Sequence, residues 1–148
     1  MTALLQKNLS SGAGGAAATL LRVTLAVMYL THSVVLKLFT FGLAGTAGYF
    51  ASIGLPGALA YVVFTAELFA GVLLLANVAT AWVALALLPV LVGALWVHAG
   101  NGWVFSAAGG GWEYPLFLIV VSVVVALQAF AARATVARPV LGSVAHPA

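Results

Sequence analysis

The chain has 148 residues, 65% hydrophobic and 5% charged, with two acidic and five basic side chains, a net charge of +3 and a mean hydropathy of +1.23. A soluble domain carries roughly a quarter charged residues, so this chain cannot clothe a water-facing surface and its solvent is the lipid bilayer. It has no cysteine, which excludes thiol catalysis, disulfides and cysteine-ligated metal centres within it; its cations form no cluster, which argues against nucleic acid as a partner.

Residues 1–16 are small and polar, with Lys7 and Ser10-Ser11-Gly12, and read as a flexible tail. The first span is expected over 17–38, long enough to cross ~30 Å of hydrocarbon. The stretch from Thr40 to Pro56 is rich in Gly and aromatics and too short to span, so it reads as a short interfacial or re-entrant helix. A second span covers 58–76 and a third 80–98, joined by so little chain that they form a tight antiparallel hairpin. Pro89 marks a kink in the third span. After a Gly- and Trp-rich connector, the fourth span covers 115–132, with Pro115 in its first turn, where a missing N–H costs nothing. Residues 133–148 read as a second flexible tail.

Long Leu, Val and Ala runs without polar alternation exclude a β-barrel, and backbone groups in lipid must be satisfied locally. The expected fold is therefore all-α: an integral membrane four-helix bundle occupying 17–132, with one short extra helix between spans one and two. Lys7, Arg133 and Arg138 flank the bundle at its two termini, so the positive-inside rule puts both termini in the cytoplasm, with Lys37 the one opposing vote.

Few ionisable residues remain, and each is costly in hydrocarbon. Glu67 interrupts an apolar run from Leu55 to Val78 and needs a partner. At ~100° per residue Arg22, Tyr29 and Ser33 share a face of span one, with Lys37 about 60° to one side and His32 about 80° to the other. That polar stripe should face the bundle interior. An Arg22–Glu67 pair is the first expectation; Lys37 or His32 with Glu67 or Glu113 is the competing one. His98 and Glu113 fall at the outer ends of spans three and four. Trp82, Trp96, Trp103 and Trp112 read as interfacial anchors, with Trp103 and Trp112 also able to stack on a ring-shaped ligand. His32 and His98 have no tight ligand spacing with a carboxylate, so no metal site is predicted.

Taken in order, the residues are Arg22, Thr31-His32-Ser33, Lys37-Leu38, Phe50-Ala51-Ser52-Ile53-Gly54-Leu55-Pro56, Glu67, Gly71, His98 and Gly110-Gly111-Trp112-Glu113-Tyr114-Pro115-Leu116. Over about 20–132 this pattern resembles the DoxX family of small four-span membrane proteins. Two features depart from the family pattern: Ser33 stands where Gly is expected after the His, and a polar tail replaces a Gly-rich ending. The resemblance implies a prokaryotic cytoplasmic membrane protein associated with redox chemistry, similar to a subunit of thiosulfate:quinone oxidoreductase. It implies that Arg22, His32, Lys37, Glu67, His98 and Glu113 are the polar motif.

The function expected is a quinone-facing subunit of a membrane oxidoreductase. Arg22, His32, Lys37 and Glu67 would carry proton chemistry, and Tyr29, His98, Trp112 and Glu113 would hold the quinone. Electrons would come from a soluble or membrane oxidoreductase partner or from the substrate. Two other classes stand beside this one: a non-catalytic scaffold that docks a soluble redox enzyme, and a small carrier or lipid-binding protein, which at this size would need a homo-oligomer.

Overall fold

The computed structural model describes residues 12–137, and every regular element within them is helical. The first rod, α1 (Gly12–Leu30), runs without a break into a wider π-helical segment, Thr31–Thr40. The short helix α2 (Leu43–Ser52) follows, and α3 (Leu59–Leu75) returns along the first rod. The third rod consists of α4 (Thr80–Ala86) and α5 (Leu88–His98), and the fourth is α6 (Glu113–Ala137). Most of the two tails expected at 1–16 and 133–148 lies outside the described residues, although α1 is already helical at Gly12 and α6 still helical at Ala137.

Among the described residues, three stretches are long and apolar enough to cross a membrane: Gly14–Thr40, Thr80–Asn101 and Glu113–Thr135. The apolar helix α3, 17 residues long, rises about 26 Å at 1.5 Å per residue, the short end of what a bilayer accepts by local thinning. The protein is thus an all-α, multi-pass membrane bundle of four rods with one short helix between the first two. α1 packs on α3 and α6, and α6 packs on α4 and α5.

Lipid offers helices no hydrophobic drive to associate, so close packing of small residues does that work. Ala26, Ala70 and Gly71 line the α1–α3 contact, and Ala81, Ala84 and Ala126 sit in the buried core. Gly71 is the tightest point between α1 and α3: a Cβ there would lie 2.6 Å from Leu30 Cγ and 3.1 Å from the Ala26 carbonyl oxygen.

Pro89 acts slightly upstream of its own position. The rod breaks at Leu87, between α4 and α5, because proline lacks the N–H that would bond the preceding turn and its ring crowds that turn. The hairpin between α3 and α4 turns through Asn77 and Ala79, both left-handed at φ 56° and 47°. Thr80 Oγ1 donates to Asn77 Oδ1 at 2.9 Å and fixes the reversal. The exposed Trp82 and Trp96 lie near opposite ends of the third rod, the distribution expected of interfacial anchors. Trp82 packs edge-on to Phe130.

Gly71→Ala is expected to destabilise the bundle by about 1–3 kcal/mol through overpacking. Thermal melting in mild detergent reads the loss, and adding Leu30→Ala should recover part of it by making room for the new methyl.

Candidate functional site

Glu67 lies midway along α3 and is 5% exposed. Its partner is Lys37, whose Nζ donates to Glu67 Oε2 at 2.7 Å, the two side chains being 14% and 7% exposed. The competing pairing from the sequence is therefore the one formed, and the Arg22–Glu67 pair is not. Arg22 Nη1 donates instead to the main-chain oxygens of Leu74 and Leu75, the second at 3.0 Å. Those carbonyls end α3, where orphan acceptors and the negative end of the helix dipole favour a cation. Leu74 is seven residues past Glu67, about 10 Å along the helix, so Arg22 lies too far along the axis for the carboxylate.

The π-helical segment explains why Lys37 wins. In an α-helix His32 and Lys37, five residues apart, would diverge by about 140°. An i→i+5 ladder winds fewer degrees per residue and narrows that divergence, so that Lys37 reaches Glu67 on α3 while His32 stacks on Tyr114 of α6. Side chains sit on the carbonyls where the segment begins: His32 Nδ1 donates to Met28 O at 3.0 Å, and Ser33 Oγ to Tyr29 O at 2.9 Å. Such bonds compete with the regular ladder and loosen it. At the far end Phe41 N–H donates to Leu36 O at 2.9 Å, and Thr40 Oγ1 to Val35 O at 2.8 Å.

His32 is in electrostatic contact with Glu67. A carbonyl only accepts, so the neutral imidazole carries its proton on Nδ1, and Nε2 keeps an open lone pair. The ring stacks on Tyr114, with centroids 6.2 Å apart and planes 20° apart. Tyr29 is fully buried between α1 and α6, and its hydroxyl adjoins that of Ser122. One cluster thus gathers Tyr29, His32 and Lys37 from the first rod, Glu67 from α3, and Tyr114 and Ser122 from α6.

His98, Trp112 and Glu113 do different work. His98 Nδ1 donates to Gly109 O and Gly110 O at 3.0 Å each, and Asn101 Nδ2 reaches the same two oxygens. Glu113 Oε1 accepts from Phe105 N–H at 2.7 Å, and Trp112 packs edge-on to Trp103 at 4.4 Å. These side chains brace the 99–112 loop, whose return passes so close that a Cβ on Gly111 would run into the carbonyl oxygens of Trp103 and Val104. Beside the brace is an open apolar groove of about 470 Å³ lined by Trp103, Phe105, Glu113, Tyr114, Phe117 and neighbours.

Tyr114 and Ser122 are not among the sequence candidates, because their places beside His32 and Tyr29 arise only from how the helices pack. A signal existed for Ser122, the one hydroxyl in the apolar run 116–127.

Comparison with known proteins agrees with this architecture. The model of the DoxX family matches residues 17–100, and the chain belongs to that family. A protein of Bacillus subtilis (strain 168) described as "Putative oxidoreductase CatD" is 40% identical over 76 residues, which are 51% of this chain and 54% of the relative. The chain thus spans about half the length of the curated relative it matches. No solved structure matches the chain.

Breaking the Lys37–Glu67 pair from one side leaves an uncompensated buried charge, a loss of about 3–5 kcal/mol. Lys37→Met and Glu67→Gln should each lower the melting temperature sharply. The double variant should melt well above the sum of the two losses, and simple additivity would show that the pair is not the interaction that matters. Arg22→Met, which removes only the cap on α3, should be additive with either.

Proposed function

We propose that this DoxX-family membrane protein is the quinone-interacting subunit of a membrane oxidoreductase system. The observation that carries the reading is the double role of Tyr114. It lines the open apolar groove with Trp103, Phe105 and Phe117, and it stacks on His32 behind. A quinone head group is a flat ring with two carbonyl oxygens on a long apolar tail. An aromatic-lined groove suits the ring, and a surrounding bilayer suits the tail.

Quinone reduction consumes two electrons and two protons. The electrons come from a reduced soluble or membrane partner protein; this chain binds the ring and handles protons. His32 is placed to exchange a proton through Nε2, the ring nitrogen left open by the Nδ1 bond to Met28 O. Lys37 holds Glu67 in reach as a second proton site. The description of the Bacillus relative as an oxidoreductase supports a redox setting. The basic residues Lys7, Arg133 and Arg138 support a cytoplasmic-membrane orientation with both termini in the cytoplasm.

The exposed rim formed by Trp103, Val104 and Phe105 favours a second reading, a scaffold that docks a redox enzyme without binding quinone.

The two separate in a titration. A short-tailed ubiquinone analogue added to the purified protein in mild detergent should quench Trp103 and Trp112 fluorescence to saturation. Tyr114→Ala and His32→Ala should each weaken that binding about tenfold, the effect of losing one good contact of about 1.4 kcal/mol. Linear, unsaturable quenching that is identical in both variants would reject quinone binding and leave the docking scaffold.

A further inference from the structure

Glu113 is a carboxylate without a cation. Among the described residues the ion pair joins Lys37 to Glu67. Glu113 Oε1 accepts from Phe105 N–H at 2.7 Å, and Oε2 takes no hydrogen bond or ion pair there. A main-chain donor orients a carboxylate but does not neutralise it. Its place in the first turn of α6 favours a negative side chain, yet the helix end offers only a fraction of an elementary charge. The position lies at the end of a membrane-spanning stretch, where a counter-charge attracts more strongly than in bulk water.

The surroundings of Glu113 are aromatic. With Trp103, Phe105, Tyr114 and Phe117 it lines the open groove of about 470 Å³, and all four rings are exposed. Aromatic walls beside a single carboxylate suit an organic ammonium: the rings attract the cation through their π electrons, and the carboxylate supplies the opposite charge. The groove also has a direction. Glu113, Phe117 and Val120 share one side of α6, and Val120 lies about 10 Å along the helix from Glu113. Leu127, two turns further on, is exposed in its turn. An apolar stripe therefore leads from the carboxylate along α6 into the hydrocarbon. No Lys, Arg or His lines the groove, so nothing in it would meet a phosphate. That favours a ligand of net positive charge over a zwitterionic phospholipid head.

We propose that this groove binds an amphipathic organic cation, an alkylammonium whose head sits against Glu113 and the aromatic rings and whose tail lies along Phe117, Val120 and Leu127. The assignment goes beyond the quinone reading. A neutral flat ring uses the aromatic walls alone, whereas the carboxylate selects for positive charge. The two ligands share Trp103, Phe105 and Tyr114, so an ammonium in the groove excludes a ring from it. The cation site needs neither His32 nor the Lys37–Glu67 pair.

The test uses the full chain in dodecyl maltoside, a neutral detergent without an ammonium group, and no quinone, so its result is separate from that of the quinone titration. Decyltrimethylammonium chloride is titrated while tryptophan emission is recorded, with decanol as the uncharged amphiphile of equal tail length. The cation should bind to saturation and decanol should not. Glu113→Gln keeps an oxygen for Phe105 N–H, and so keeps the loop brace, but removes the charge. It should raise the half-saturating concentration about tenfold, the effect of one lost contact. Phe117→Leu, which replaces an exposed ring by an aliphatic side chain, should raise it about threefold. Added salt should weaken binding to the parent more than to Glu113→Gln. Equal affinity of the parent and Glu113→Gln, or decanol binding as well as the cation, overturns the proposal. Displacement of the cation by an equimolar amount of dioleoylphosphatidylcholine in the micelles also overturns it, since the occupant would then be a phospholipid head. Should Glu113→Gln fail to fold, Phe117→Leu and the decanol comparison decide it in the same way.

Discussion

The cost of carrying charge into hydrocarbon organises this bundle. Glu67 sits midway along an apolar helix, where an isolated carboxylate is strongly disfavoured. Only a cation brought to it from another rod makes the position tenable, and Lys37 at 2.7 Å is that cation. The ammonium must travel from the end of the first rod to the side of α3, and the backbone between must allow it. The small residues Ala26, Ala70 and Gly71 bring α1 and α3 together, and the widened turns of Thr31–Thr40 aim the lysine. Packing, backbone geometry and electrostatics therefore all serve the same contact.

A π-helical stretch of this length, ten residues, is unusual, since such turns mostly occur singly and at functional sites. Here it brings two residues five apart closer in angle than a regular helix would, so that Lys37 meets Glu67 and His32 meets Tyr114. It also uses the polar side chains twice. His32 and Ser33 bond carbonyls of the preceding turn, and that same local bonding fixes the imidazole with Nε2 free. The local hydrogen bonds that loosen the helix thus also orient the group best suited to move a proton.

Much of the fold was legible in the sequence. Composition required a membrane, the apolar runs located the rods, and the Gly-rich connector between the first two supplied α2. The site was legible in part. Glu67 stands out in its run, and Lys37 and His32 were both candidates. The choice of partner was not readable, because the angular argument assumes ~100° per residue and that assumption fails from Thr31 onward. His98 and Glu113 looked like members of the same centre because they are ionisable and lie at the same end. Their partners are main-chain atoms of the 99–112 loop, and no side-chain inventory reveals those. Tyr114 and Ser122 escaped the sequence reading because their roles come from tertiary contacts: Tyr114 stacks on His32, and Ser122 is fully buried on α6 beside Tyr29.

The two ends of the bundle differ in kind. Toward the turn at Asn77 and Ala79, the interior holds Leu25, Ala26, Leu74, Ala81 and Ala126, and Arg22 ties α1 to the last carbonyls of α3. Packed interiors of this sort are stiff, and the Arg22 bonds add a cap that holds the α1–α3 crossing. Toward the 99–112 loop lie Lys37, Glu67, His32 and Tyr114, and the loop is held by hydrogen bonds from His98 and Asn101 and by one that Glu113 accepts from Phe105 N–H. Tyr114 joins this second end to the aromatic groove, which it lines while stacking on His32. The stiff end supplies the fixed frame on which the polar end is held. A carboxylate and an imidazole thus sit within a few side chains of an aromatic groove, on rods whose crossing is fixed by close packing at Gly71 and by the Arg22 cap.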